Sequence, residues 1–560
     1  EVTAQDGETT NAYTITVTRA PSSNAELADL EVSPGSLTPA FSSDHTDYAV
    51  DVGHEVQAIT VTATAADDHA SLSINGTPAA SGKPSDPIPL QVGDTTVTVE
   101  VTAQDGETTN AYTITVTRQS PPAPTPGSVP SFNPGNEQAS ITGQVWANGN
   151  MLVGIANIVT MEKDGRLTAT ISTDAERLIE ILENEADGGV VHFILEGEAD
   201  GVAVEFSGNA VKALADKHFM LIVAAPFGTY HLPAVEVIAG LPEERSSQMP
   251  PMESLIVVNI AKSLDEQVRL LQEAARAGGF VIAAPPVDFS VSILHGGQTF
   301  DIARFGRFVK REMPLPPDAN PNDVTTAVLM DQDGNVRHVP TYVEMRDGFN
   351  FAVINSLTNS TYALVRYAPV FTDTKHHWAE SAIRDLASRM IAEGKGEGRF
   401  DPDAAITRAE FAAIAVRAFG IPVTDGVALY ADVPSDAWFA GAVAAAHEYG
   451  LVNGYADGSF RPGTAITRQE AAALLVRLMR LAGMDDAVTD EEEHLLLSGY
   501  QDGGETAAWA RQAAAAAVKH GLMIGSDGKL RLTDNITRAE TAMVFHRLLK
   551  LTGLIGGTVE

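Results

Sequence analysis

The sequence predicts a multidomain protein: an all-β sandwich, then an α+β middle region, then an all-α bundle of three similar units. Apolar and polar residues alternate through most of 1–118, strand-like runs and helix caps alternate in 138–368, and one five-residue motif occurs three times after 369. At 560 residues the chain is too long for a single hydrophobic core.

Composition excludes several classes of partner and site. The chain has 73 acidic and 37 basic side chains, a formal charge of −36, and no cysteine. We therefore expect no nucleic-acid partner, because phosphates require clustered Lys and Arg, and no thiolate metal site or cysteine nucleophile. No apolar run reaches the roughly 20 residues that a membrane helix needs, so we expect no membrane insertion. No signal-peptide pattern opens the sequence, and we expect any export signal to have been removed or to lie outside it.

The first region contains a long internal repeat. Residues 1–19 recur without change at 100–118, so 1–19 are predicted to be the terminal hairpin of a truncated module, and 20–118 a complete one. Period-two alternation, as at Val97, Val99 and Val101, predicts an antiparallel β-sandwich. The pattern ending in Ala-Tyr-Thr-Ile-Thr-Val-Thr-Arg resembles the cadherin-like modules of bacterial surface proteins. This resemblance implies adhesion or calcium binding, but the scattered carboxylates favour a spacer, and we predict no metal site.

Residues 119–137 contain six prolines and are predicted to be a linker. The following region, 138–368, is predicted to be an α+β spacer of one or two domains. Capping boxes at Thr173–Glu176 and Ser263–Glu266 predict two helices, the first near 174–185 and the second closed by Gly278. Strands are predicted at Val190–Leu195, Val202–Phe206, His218–Val223, Leu255–Ile260 and Phe280–Ala284.

An enzyme active site, if present, should lie in 138–368. We find no serine elbow, zinc-binding His-Glu-x-x-His or dinucleotide turn there, so the sequence predicts no enzyme, no catalytic residue and no cofactor. Asp331–Asn335 matches only part of a calcium loop and is predicted to be a hairpin turn. The alternative is an anchored enzyme acting on extracellular glycans, or an adhesin, because a catalytic carboxylate pair is recognised in space rather than along the chain.

The most informative motif is Ile-Thr-Arg-x-Glu, at 406–410, 466–470 and 536–540. Its Thr-x-x-Glu is a capping box, which places each arginine in the first turn of a helix, beside N–H groups expected to point outward. An aspartate and a tryptophan precede each copy, and a glycine-containing loop joins the halves. The predicted units are 369–422, 428–483 and 496–552.

These units resemble S-layer homology domains, which attach bacterial surface proteins to the cell wall. The resemblance implies a three-pronged helical bundle that binds a pyruvylated secondary cell-wall polysaccharide in grooves. Matched by motif, Arg408, Arg468 and Arg538 would meet the pyruvate carboxylate. The remaining groove residues would be Asp373, Asp432, Asp502, Trp378, Trp438, Trp509, Gly454 and Gly525. For the tryptophans, packing between helices is the alternative to sugar stacking.

The resulting hypothesis is a secreted protein in the cell wall or S-layer of a bacterium, held non-covalently, with self-association into a lattice left open. We expect the arginine ends to be exposed, so that replacing all three with alanine would abolish wall binding and leave the fold intact. Lys395-Gly396-Glu397-Gly398 in the first unit and Leu530-Arg531-Leu532 in the third depart from the pattern. These departures suggest that only two grooves are complete.

Overall fold

A computed structural model describes residues 19–118, 141–240, 254–423 and 429–556, apart from ten positions inside these ranges, and six residues before 19. The predicted linker 119–137 lies outside the described residues. The chain forms two compact units, Glu1–Glu137 and Gln138–Glu560.

The first unit contains a short two-stranded sheet and a β-sandwich. Its strands are β1 (Val2–Thr3), β2 (Thr10–Asn11), β3 (Leu27–Ser33), β4 (Asp47–Val52), β5 (Ala58–Ala65), β6 (Ser71–Ile74), β7 (Thr77–Ala79), β8 (Ile88–Pro89), β9 (Gly93–Thr102) and β10 (Thr109–Arg118). One sheet has the order β4-β10-β9-β6-β7 and the other β3-β5-β8, with alternate side chains buried between them. The sequence predicts an antiparallel sandwich. The pairing of β10 with β4 is parallel, so this prediction is wrong for that pair of strands.

The repeated segments pair in the same register. Val2 lies opposite Asn11 in the short β1–β2 ladder, and Val101 lies opposite Asn110 in the β9–β10 ladder, 99 residues later. The same sequence therefore forms the same local pairing twice.

The second unit begins with two large sheets. Its strands are β11 (Thr142–Ala147), β12 (Asn150–Met151), β13 (Ala156–Lys163), β14 (Arg166–Thr173), β15 (Val190–Glu196), β16 (Gly201–Ser207), β17 (Met220–Ala225), β18 (Gly228–Pro233), β19 (Leu255–Lys262), β20 (Val281–Ile282), β21 (Val287–His295), β22 (Gln298–Asp301), β23 (Arg304–Pro314), β24 (Thr326–Met330), β25 (Val336–Val339), β26 (Thr341–Arg346), β27 (Phe349–Thr358) and β28 (Ser360–Arg366). One sheet runs β12-β11-β15-β17-β18-β23-β27-β26. The other runs β13-β14-β16-β19-β21-β28-β24-β25, with β20 and β22 attached at its side. The two sheets share one hydrophobic core.

In the described residues of this region, four α-helices accompany the sheets: α1 (Ala175–Glu183), α2 (Gly208–Asp216), α3 (Ala234–Ala239) and α4 (Asp265–Gly278). The two capping boxes predicted in this middle region are each misplaced by one residue. Asp174 caps α1 by accepting the Arg177 N–H at 3.2 Å, because Thr173 is the last residue of a strand. Helix α4 follows Leu264, whose N–H donates to Gln267, and it ends at Gly279 in the left-handed conformation with φ 70°.

Two predicted strands also need correction. The predicted Phe280–Ala284 strand is only Val281–Ile282, and Pro285 and Pro286, which lack N–H donors, prevent the pairing from continuing past Ala284. The predicted His218–Val223 strand begins at Met220, since His218 adopts φ 57° at the end of α2.

Residues beyond 368 form seven helices in the described part of the chain: α5 (Glu380–Ser388), α6 (Arg408–Ala418), α7 (Ala440–Glu448), α8 (Arg468–Leu481), α9 (Asp490–Ser498), α10 (Arg511–Lys519) and α11 (Arg538–Leu551). The predicted capping boxes open α6, α8 and α11, with Thr407, Thr467 and Thr537 as N-caps. None of the described helices combines the length and apolarity that crossing a membrane would require.

The helical region packs directly on the middle sheets. The Phe308 and Phe419 rings lie 6.0 Å apart, and Arg389 Nη1 donates to the Thr341 carbonyl at 2.7 Å. Thr325 Oγ1 also donates to the Ser388 carbonyl at 3.0 Å. The two regions therefore share one compact unit.

Candidate functional site

The three Ile-Thr-Arg-x-Glu motifs meet around a common axis. The Ile406 N–H donates to the Ile536 carbonyl at 3.1 Å, Ile466 to Ile406 at 3.0 Å, and Ile536 to Ile466 at 3.0 Å. This closed ring of backbone hydrogen bonds relates the three units by an approximate three-fold rotation.

The helix N-termini beside the ring are already satisfied. The N–H groups of Arg408, Arg468 and Arg538 each donate at 2.9 Å to a carbonyl of a neighbouring unit, at Thr464, Asp534 and Ala404 respectively. The following N–H group in each helix does the same. The expectation that these groups point outward to a ligand is therefore wrong, because adjacent loops supply the acceptors that helix ends require.

The motif arginines join one unit to the next. The Nε of Arg408, Arg468 and Arg538 donates to the carbonyls of Phe460, Leu530 and Phe400. Arg408 Nη1 lies 2.8 Å from Glu470, Arg468 Nη1 lies 2.7 Å from Glu540, and Arg538 Nη1 lies 3.8 Å from Glu410.

This placement contradicts the predicted exposure of the arginine ends. Arg468 is 7% exposed and Arg538 is 5% exposed. Removing one member of a buried charge pair typically costs about 3–5 kcal/mol, so the triple alanine replacement should destabilise the bundle rather than leave it intact.

The three aspartates hold the loops. Asp373 accepts the Phe400 and Asp401 N–H groups at 2.8 Å, and Asp432 and Asp502 accept the equivalent pairs in their own units. Burial favours the neutral acid, but these donors hold the pKa of Asp373 and of Asp502 below the usual range. The aspartates therefore shape the loops from within.

Gly454 and Gly525 are required by packing. A Cβ atom at Gly454 would lie 2.3 Å from Tyr430 Cε1, and one at Gly525 would lie 2.5 Å from the Lys529 carbonyl oxygen. Any larger residue would displace the loop from its aromatic support.

The tryptophans are exposed at the surface. Trp378, Trp438 and Trp509 are 61%, 66% and 61% exposed, which contradicts the alternative that they pack between helices. Large exposed aromatic rings are costly to hydrate and are typical of binding surfaces.

Two grooves combine these elements. The Arg408 groove is a cavity of about 290 Å³ lined by Arg408, Gly454, Tyr455, Glu470 and Trp509. The Arg468 groove, of about 430 Å³, is lined by the equivalent Arg468, Gly525, Ser526, Glu540 and Trp378. Each groove takes an arginine from one unit, a loop and glutamate from the next, and a tryptophan from the third.

At the third equivalent position, the Arg538 groove, the loop contributes a different side chain. Lys395 lies at the loop position that Tyr455 and Ser526 occupy in the other two units, and its ammonium group contacts the carboxylate of Glu410. By the same three-fold relation, the tryptophan of this position would be Trp438, which is 66% exposed.

Sequence reasoning missed a second row of arginines. Arg417, Arg477 and Arg547 each lie nine residues after a motif arginine, and this constant spacing is the signal that would have found them. Arg477 lines the Arg408 groove and Arg547 lines the Arg468 groove.

The middle region contains a cluster of charged and titratable side chains around the buried Glu312. Glu312 contacts His231 at 3.2 Å, Lys310 at 2.8 Å and Arg346 at 2.6 Å. Burial opposes ionisation of Glu312, but these three partners lower its pKa well below the usual range. Across the described residues, no group of three or more His, Asp or Glu is arranged to hold a metal ion.

Comparison with known proteins agrees with this architecture. Residues 27–119 match the cadherin-like beta sandwich domain, and residues 370–412, 429–472 and 499–542 match the S-layer homology domain.

Relatives include an amylopullulanase of Thermoanaerobacterium thermosulfurigenes, 34% identical over 36% of this chain and 10% of its own length. An exoglucanase XynX of Acetivibrio thermocellus is 30% identical over 35% of this chain and 17% of its own. A surface-layer 125 kDa protein of Lysinibacillus sphaericus is 33% identical over 31% of this chain and 14% of its own. The chain thus spans less than a fifth of the length of these relatives. It carries a cadherin-like β-sandwich domain and three S-layer homology domains, the domain set of a bacterial cell-surface protein.

Proposed function

We propose that the three S-layer homology domains anchor the chain non-covalently to the bacterial cell wall by binding a pyruvylated secondary cell-wall polysaccharide. The observation that carries this proposal is the repeated groove, in which an exposed tryptophan from one unit faces cationic side chains from its neighbours. Trp378 and Trp509 are the proposed stacking residues.

The chemistry of the grooves suits an acidic sugar. An indole ring offers an apolar face for a sugar ring, and a guanidinium group offers a planar pair of donors for a carboxylate. Two grooves on one polymer also gain from effective concentration, so each can bind weakly while the chain stays attached.

We further propose that residues 138–368 are a non-catalytic support for the anchor. The relatives named as an amylopullulanase and an exoglucanase share only a small part of their length with this chain. Glu312 contacts two cations, Lys310 and Arg346, as well as His231, and its lowered pKa makes it a poor proton donor. The second candidate function is assembly into a surface lattice, which the likeness to a surface-layer protein favours.

Co-sedimentation of the full chain with purified cell-wall sacculi tests the anchor. We expect the chain to pellet with untreated sacculi and to remain in solution after acid extraction of the secondary polysaccharide. Equal pelleting before and after extraction would contradict the proposed ligand.

A double Trp378→Ala, Trp509→Ala variant tests the grooves in the same assay. Both rings are exposed, so the fold should persist while pelleting is lost. The matched control is Met345→Ala, which removes an exposed apolar side chain in the middle region and should pellet normally. Incubation of the unmodified chain with starch, cellulose and xylan should release no reducing sugar.

A further inference from the structure

The second arginine row differs among the three units in its charge partners. Arg477 Nη1 donates to the Leu451 carbonyl at 2.8 Å, and Arg547 Nη1 donates to the Leu522 carbonyl at 3.4 Å. Among the described residues, neither arginine contacts a carboxylate, and burial lowers the pKa of both. A half-buried cation that faces a cavity without a counter-ion favours binding of an external anion.

The motif arginines are less available for this task. In both Arg408 and Arg468, Nε donates a hydrogen bond to a carbonyl of the next unit, and Nη1 donates to a glutamate of that unit. The charges of these arginines are therefore largely balanced within the bundle, whereas those of Arg477 and Arg547 are not.

In the first unit the equivalent arginine is neutralised internally. Arg417 forms an ion pair with the Glu393 carboxylate. Glu393 directly precedes the loop glycine Gly394, and the equivalent residues before Gly454 and Gly525 are Asn453 and Ile524. Within the described parts of the three helical units, the first alone places a carboxylate beside its second arginine.

The surroundings of Arg417 also differ. Arg417 and Glu393 line a cavity of about 360 Å³ that residues of the middle region, including Phe280 and Tyr367, wall on the other side. The first unit therefore presents its second arginine toward a neighbouring part of the same chain.

We propose that Arg477 and Arg547 bind the carboxylate of the saccharide, and that Glu393 takes the place of that carboxylate at Arg417, so that the chain has two working grooves. This inference rests on the proposed function, and it names the residues and the number of sites. It assigns the motif arginines chiefly to holding the units together.

Titration calorimetry of the full chain with a monosaccharide carrying a pyruvate ketal counts the sites. We expect two sites per chain, and none for the same sugar without the ketal. Asn453→Glu, which copies the first unit into the Arg408 groove, should reduce the number to one, and Ile524→Glu should do the same in the Arg468 groove. Leu495→Glu adds the same charge at an exposed position outside the residues that line either groove and should leave two sites.

Arginine variants test the assigned contact. Arg477→Gln keeps a donor for the Leu451 carbonyl but removes the charge, and we expect affinity in that groove to fall at least about tenfold. The same substitution at Arg417 should leave both sites unchanged, as should Trp438→Ala. Unchanged circular dichroism of each variant would show that the fold persists.

Several outcomes would overturn the inference. Three sites in the unmodified chain, or two sites retained by Asn453→Glu, would show that a carboxylate at this position does not close a groove. Full affinity in a folded Arg477→Gln variant would show that the carboxylate binds elsewhere. If the unmodified chain pellets with sacculi but does not bind the monosaccharide with the pyruvate ketal, the assigned carboxylate contact is wrong and the proposed wall binding is retained. If the chain neither pellets nor binds the monosaccharide, the proposed function is wrong as well.

Discussion

Buried charged and titratable residues decide how the helical region holds together. Arg468 is almost completely buried, yet its guanidinium group has a carbonyl and a carboxylate as partners in the next unit. Satisfied in this way, a charged side chain specifies how two units fit, because any other arrangement would leave it unpaired.

His338 is buried where the middle sheets meet the helical region. Its Nδ1 lies 2.7 Å from Thr326 Oγ1, and its backbone carbonyl lies against Gly420. Burial, and then the charge of Arg389, lower the pKa of His338 to about 3. The folded protein therefore keeps this ring neutral at a pH where an unfolded chain would protonate it.

We predict that the compact unit Gln138–Glu560 loses stability as the pH falls from about 6.5, the ordinary histidine pKa, towards 3. Over this range the unfolded state binds a proton at His338 that the folded state refuses, so the free energy of unfolding should decrease by about 1.4 kcal/mol per pH unit from this group. Urea unfolding followed by tryptophan fluorescence at pH 7, 5.5 and 4.5 measures the effect. His338→Gln should lose this part of the slope, and a variant with the full slope would refute the assignment.

Capping boxes act beyond the helices that they begin. Glu470 accepts the Thr467 N–H at 2.8 Å with one carboxylate oxygen, and with the other it accepts from Arg408 Nη1 and the Tyr455 hydroxyl. Helix α9, which begins between the second and third helical units, has the same box, in which Glu492 accepts the Thr489 N–H at 2.9 Å. Glu492 has Lys519 as its cation instead of an arginine of another unit.

The two boxes therefore provide a matched pair of substitutions. We predict that Glu470→Ala destabilises the compact unit Gln138–Glu560 by about 3 kcal/mol, because it leaves Arg408, whose side chain is only 11% exposed, without its carboxylate. Glu492→Ala should cost only about 1 kcal/mol, the value of a cap and an exposed ion pair. Urea midpoints of the two variants measure the difference. Equal losses would mean that the Arg408 contact adds nothing to capping.

On the largest scale, the helical region and the middle region pack together in one compact unit. Phe419 of the first helical unit is fully buried against Phe308 of the middle region, and Arg389 donates to a strand residue across the same junction. A load applied to the middle region would pass to the bundle through this packed junction.

We predict that Phe419→Ala loosens both regions together. Removing a buried phenylalanine side chain costs about 3 kcal/mol or more, and in one cooperative unit that cost appears everywhere. Hydrogen exchange measured by mass spectrometry should show faster exchange by the same factor in Phe349–Thr358 and Arg408–Ala418. Val116→Ala in the β-sandwich is the control, and it should accelerate exchange only in the compact unit Glu1–Glu137. Faster exchange in α6 alone after Phe419→Ala would mean that the two regions unfold separately.

Features that depend on near neighbours could be predicted from the sequence. Alternating side chains specified the sandwich, and Thr-x-x-Glu specified where α6, α8 and α11 begin, because both patterns act through hydrogen bonds and faces within a few residues. The shifted starts of α1 and α4 show the limit of this reasoning, since a strand end and a neighbouring glutamine changed which residue became the cap.

The environment of the motif residues depends on how the three helical units assemble. Arg468, Gly525 and Trp378 are far apart in sequence, and they share a groove because a three-fold ring of backbone hydrogen bonds brings the units together. The same assembly buries the arginines, exposes the tryptophans and leaves Arg477 and Arg547 without carboxylate partners among the described residues. Burial and charge balance depend on contacts between distant segments, so a local pattern identifies the residues while the assembled fold decides their roles.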